Sequence, residues 1–164
     1  MERNSMDAHG STGDLTAIMF LATGGTTLIS FLAFPLAGFP FAGVSTGVDV
    51  LGRGPTGLAL LIWIIPLTAA VTVALGAWLR LAPRSSSTAV RTASAFVLFL
   101  TAPSLLLWSL PIALALPNLD DLVFRFLETG YWLVLATLAF GFITALVGIC
   151  RRYAPADQTS ASEP

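Results

Sequence analysis

Charge is what this chain has least of. Asp, Glu, Lys and Arg make up 10% of its 164 residues, against about 25% in typical soluble domains. Lysine is absent, so all eight basic residues are arginine, a usage that fits a GC-rich bacterial source. There is one cysteine, Cys150, and one histidine, His9. A single thiol excludes an internal disulfide, and one His with one Cys is too few for a zinc site of three or four protein ligands without help from carboxylates. A net charge of −1 gives no basic surface for nucleic acid.

The shortage is sharper along the chain. No charged residue occurs from Leu15 to Val48, from Gly54 to Leu79, from Thr92 to Leu119 or from Thr129 to Cys150. Chemistry inside a membrane normally relies on ionisable groups, which stand out because a central charge costs about 2.5–3.5 kcal/mol on insertion scales. These runs hold none. Haem ligation between helices, proton-coupled export, disulfide generation and intramembrane serine proteolysis each lack the His, carboxylate, cysteine pair or base that they need. The expectation is a protein that is not an enzyme, with no catalytic residue, no cofactor and no metal site.

What the chain has instead is apolar surface. Residues AVILMFWYC make up 55%, and mean hydropathy is +0.83. A domain of this size buries only about 60–70% of its surface, so the excess must face lipid. About 20 apolar helical residues cross a hydrocarbon core of about 30 Å. The runs therefore predict an all-α, integral membrane four-helix bundle with spans at about 15–36, 57–80, 93–116 and 130–150. Residues 1–14 form an N-terminal tail and 151–164 a disordered C-terminal one. Gly54-Pro55 opens the second span, Pro35 and Pro40 close the first, and Pro83, Pro117 and Pro155 each follow a span. Pro66, Pro103 and Pro111 fall inside spans, where kinks are expected.

Arginine sets the orientation. Arg3, Arg80, Arg84, Arg91, Arg151 and Arg152 lie on one side of this topology, and only Arg53 and Arg125 on the other. Because arginine collects on the cytoplasmic side, both termini are expected inside, in a bacterial inner membrane. Trp63, Trp108, Tyr131 and Trp132 then mark the outer interface, and Trp78 and Tyr153 the inner one. The acidic leader and long apolar stretch read as a retained first helix, not a cleaved signal.

Small residues cluster in the first span, LATGGTTLIS at 21–30. A phosphate-cradling loop needs a preceding strand and a lysine in register, and neither is present. The stretch reads as a helix-packing seam: Gly24 and Gly25, with Ala22, Thr26 and Ser30 spaced four apart and Thr23 and Thr27 beside them. Ala70, Thr72, Ala74 and Gly76 repeat the device in the second span, and Thr137, Gly141, Ala145 and Gly148 in the fourth. A groove for a lipid tail or quinone, made by the same residues, is the alternative.

Three connections complete the reading. The outer loop 37–56 is expected along the membrane surface with Phe39 and Phe41 in the interface, a lid being the alternative, and Asp49 and Arg53 can pair there. PNLDDLVFRFLETG (117–130) has a capping Asn118, acidic Asp120 and Asp121, and apolar residues on one face, the pattern of a short amphipathic helix before the fourth span. The basic loop RLAPRSSSTAVR follows from the orientation. Cys150 at the inner boundary is expected to be a buried structural thiol, palmitoylation being the alternative.

The runs STGVDVLGRGPTG and GYWLVLATLAFGFITALVG resemble those of small four-span membrane proteins of GC-rich bacteria. The resemblance implies the topology and no particular activity. The functional expectation is a structural or accessory subunit of a larger membrane complex, partnered by the bilayer and by another membrane protein or a second copy. A binder or carrier of a neutral hydrophobic molecule, gated by the third-span stretch TAPSLLLWSLP, is the second expectation.

Overall fold

The computed structural model describes residues 3–39, 43–52, 62–82, 87–115 and 127–150. Among these residues the elements are, in order, α1 (Arg3–Ala33), β1 (Pro35–Phe39), β2 (Gly43–Thr46), α2 (Gly47–Gly52), α3 (Ile64–Leu81), α4 (Ser87–Ala115) and α5 (Thr129–Cys150). Four helical stretches are long and apolar enough to cross a membrane: Asp14–Ala33, Ile64–Leu81, Ser87–Ala113 and Thr129–Cys150, with mean hydropathies of 1.7, 1.7, 1.9 and 2.4.

The helices form a ring in the order α1, α3, α4, α5, in which each neighbouring pair is in contact. Chain direction alternates around it. Gly24 meets Ala69 and Val73 while Gly76 meets Ala17 and Leu21, so α1 and α3 run oppositely. On α4 and α5, Ser94 faces Gly148 and Trp108 faces Tyr131. On α1 and α5, Thr16 lies beside Gly148 and Thr27 beside Thr137. Each pair is antiparallel, as connections between consecutive helices of a bundle favour.

Two apolar clusters fill the ends of the bundle. One gathers Ala17, Phe20, Leu79, Val90, Ala93, Val97 and Ala145. The other gathers Phe31, Leu36, Ile65, Trp108, Tyr131, Val134 and Leu138. Within the second, Trp108 and Tyr131 stack with ring centroids 4.9 Å apart. The indole Nε1–H of Trp108 donates to the Tyr131 carbonyl at 3.1 Å, and the Tyr131 hydroxyl donates to the Trp108 carbonyl. This reciprocal pair fastens α4 to α5.

Several boundaries differ from the sequence expectation. Helix α1 reaches back to Arg3, through the stretch expected as a tail, because no proline precedes Pro35 to stop it. Pro66 is the third residue of α3, and the backbone before it is also helical at Ile62, with Trp63 between them at φ −63° and ψ −19°. Pro103 and Pro111 do lie inside α4. The Thr101 and Ser104 hydroxyls donate to the carbonyls of Val97 and Leu100, at 2.8 Å each, on either side of the Phe99 carbonyl that Pro103 deprives of a donor.

The fold is also not purely helical. Pro35–Phe39 pairs antiparallel with Gly43–Thr46, with an irregular register between Pro35 and Ala37 that sets Leu36 apart from the ladder. Leu36 is buried in the end cluster, and its carbonyl accepts from the Glu128 N–H at 3.2 Å. Ala37 bridges Leu127, so the chain entering α5 pairs with the hairpin. Thr46 then caps α2: its N–H and hydroxyl both donate to the Asp49 carboxylate at 2.8 Å, and the Asp49 N–H returns to the Thr46 hydroxyl at 3.4 Å. Gly47 sits directly on the Phe31 carbonyl and ring. Residues 35–39 and 43–52 thus fold back onto the bundle end. Arg53, the tail 151–164 and the expected amphipathic helix up to residue 126 lie outside the described residues.

Candidate functional site

Between the two apolar clusters the interior changes character. Each spanning helix contributes hydroxyls near its middle: Thr23 and Thr27 from α1, Thr68 and Thr72 from α3, Thr101 and Ser104 from α4, Thr137 from α5. The spacing of four residues, or three in α4, stacks each pair on one face. All but the half-buried Thr137 are buried.

The hydroxyls form two tiers. In one, Thr27 Oγ1 lies 2.9 Å from Thr137 Oγ1, and Thr68 Oγ1 lies 2.9 Å from Ser104 Oγ, so two hydrogen bonds tie α1 to α5 and α3 to α4. In the other, Thr23, Thr72 and Thr101 donate to their own helices, to the carbonyls of Met19, Thr68 and Val97 at 2.6, 2.8 and 2.8 Å. A hydroxyl that bonds its carbonyl four residues back enters lipid without an unsatisfied donor. Gly141 completes this tier. A small cavity lies among these residues, lined also by Gly24, Ala69 and Leu138.

The small residues singled out in the sequence divide sharply. A Cβ on Gly24 falls 2.8 Å from the Ala69 carbonyl oxygen, and one on Gly76 falls 2.9 Å from the Ala17 carbonyl oxygen, so these two glycines set how closely α1 and α3 approach. Gly148 abuts the buried Ser94 hydroxyl, which has no hydrogen-bond partner among the described residues. Ser30, Ala145 and Gly141 are buried and Thr137 half-buried. Thr26, Ala70 and Ala74 are exposed, as is Ala22, and Gly25 has nothing within 4 Å of its Cβ position. The face of α1 turned to α3 and α5 therefore runs through Ala17, Thr23, Gly24 and Thr27 and not through Ala22 and Thr26.

Thr68, Thr101 and Ser104 were not singled out by the sequence reading. Their signal is present there, since all four spans carry two small or hydroxylated residues three or four apart at mid-length. Cys150 is exposed at the end of α5, not buried. No group of three or more His, Cys, Asp or Glu that can hold a metal occurs among the described residues.

Two hollows lie on the outer surface. One, about 160 Å³, runs between α1 and α5 and is lined by Leu15, Met19, Phe140, Ile143 and Val147 with Thr16 and Thr144. The other, about 610 Å³, lies along α4 beside Phe99, Pro103 and Leu106. No family model, curated protein or solved structure matches the chain.

Proposed function

We propose that this chain is a structural or accessory subunit of a larger membrane assembly, without catalytic activity of its own. One observation supports the reading above others. After α1 and α3 have used Gly24 and Gly76 on each other, a second set of small residues, Ala22, Gly25, Thr26, Ala70 and Ala74, is left on the outside of that pair. Bulky residues stand outward on all four spanning helices, Ile29, Leu67 and Trp78 on this pair and Phe99, Leu106, Phe140 and Ile143 on α4 and α5. The small set between them offers a partner helix the close approach that such residues allow. In this reading both termini face the cytoplasm, in keeping with the arginine distribution.

The experiment is purification of the tagged chain in native nanodiscs, wild type and A22L/A70L/A74L in parallel, with both protein and lipid identified by mass spectrometry. The expected result is a stoichiometric protein partner, or a second copy, that the triple variant loses while it keeps its helicity. Retention of the same partner by that variant contradicts the reading. The second reading, a binder of a neutral hydrophobic molecule, draws support from the hollow beside Pro103. Under it, a stoichiometric amphiphile replaces the protein partner.

A further inference from the structure

The mid-bundle cavity has the size and chemistry of a binding site for one molecule. It leaves about 10 Å³ for the centre of a water-sized sphere, and Thr23, Gly24, Thr72, Thr101 and Gly141 are among its walls. A cavity of about this volume holds a single water when two to four polar partners surround it.

The partners are of one kind. Thr23, Thr72 and Thr101 each commit their only hydroxyl proton to a carbonyl of their own helix, leaving lone pairs on each oxygen. The neighbouring tier uses its protons the same way. Ser104 and Thr137 donate to the Leu100 and Leu133 carbonyls, so Thr68 donates to Ser104. The wall accepts and does not donate. A ligand must therefore bring protons and must be no larger than one heavy atom. A cation fits poorly, because no carboxylate lies in the spanning runs to repay its desolvation.

The space itself comes from Gly141. A Cβ there meets Thr101 Cγ2, Thr23 Cβ and Thr23 Oγ1 at 3.9 Å, ordinary contact, whereas Gly24 and Gly76 have no such room. We propose that Gly141, Thr23, Thr72 and Thr101 form a site for one structural water at the centre of the bundle. Its two O–H groups donate to two of the three threonine hydroxyl oxygens and so bridge two of α1, α3 and α4 across the gap that Gly141 opens in α5. The site is independent of any partner protein.

The test is Gly141→Ala, read in lipid nanodiscs. In the unaltered protein, water-selected magnetisation transfer by NMR is expected at the Gly141 and Thr23 amides, on a timescale far shorter than their exchange with bulk solvent. Gly141→Ala fills the space, removes that transfer and deletes the bridging bonds of the water. Its thermal midpoint is expected to fall by about 2–4 °C. A dry cavity behaves oppositely, because the added methyl fills a void and alanine favours helix. No transfer in the unaltered protein, or a midpoint that is unchanged or raised in Gly141→Ala, overturns the proposal.

Discussion

At Gly24 and Gly76 the methyl of an alanine would press on a backbone carbonyl of the facing helix, and backbone does not step aside. Gly24→Ala and Gly76→Ala are each expected to cost about 1–3 kcal/mol, as overpacking does. Gly25→Ala, one residue away in open space, is expected to gain up to about 1 kcal/mol from helix propensity. Reversible unfolding in mixed micelles checks all three, and equal effects at Gly24 and Gly25 contradict the seam. Ser94 offers a change of opposite sign. Its buried hydroxyl is without a hydrogen bond among the described residues, so Ser94→Ala should stabilise by about 1–3 kcal/mol on the same assay. That small residues matter here was legible in the sequence. Which glycine touches what was not, because Gly24 and Gly25 are chemically identical and differ only by 100° around the helix.

The same limit appears among the elements. Charge-free runs located four spanning helices, since length and apolarity alone decide whether a segment can cross lipid. The rotation of each helix was hidden, because a membrane helix has no polar face to mark its outside. The Ala22–Thr26 stripe and the Thr23–Thr27 stripe are equally small, and only packing separates them. The hairpin was missed for another reason: its strands, of five and four residues, are short and carry little alternation. The sequence allows Asp49 to pair with Arg53, whereas the structure bonds the Asp49 carboxylate to Thr46 at the turn into α2. Hairpin and α2 rest on Phe31 through Gly47, so Gly47→Val should lift them from the bundle end. Hydrogen exchange is expected to rise at residues 36–39 and 45–51, with α3 and α4 unchanged. Equal protection in the variant contradicts that contact. At the α4–α5 contact, Tyr131→Phe deletes the bond to the Trp108 carbonyl and keeps the stack. The expected loss is about 0.5–1.5 kcal/mol in the micelle assay, and no loss shows that the hydroxyl bond is idle.

Taken whole, the molecule is built in the reverse sense of a soluble bundle. Its mid-level interior is hydroxyl and glycine, with Thr68 at 1% and Ser104 at 0% exposure, while Phe99 at 75%, Leu106 at 72%, Ile29 at 61% and Leu67 at 60% stand outward. In water this would expose a continuous apolar belt far beyond the few hundred Å² that monomeric soluble proteins show. In lipid it costs nothing, and helices are free to associate through small residues and hydroxyls. Every other inference depends on that belt lying in lipid. The most direct measurement is spin-label accessibility in liposomes, with labels placed singly at Phe99, Leu106, Ile143 and Leu67 in a Cys150→Ser background. High collision rates with oxygen and low rates with a water-soluble nickel chelate are expected at all four positions. Free access of the chelate to these sites contradicts a belt that lies in lipid.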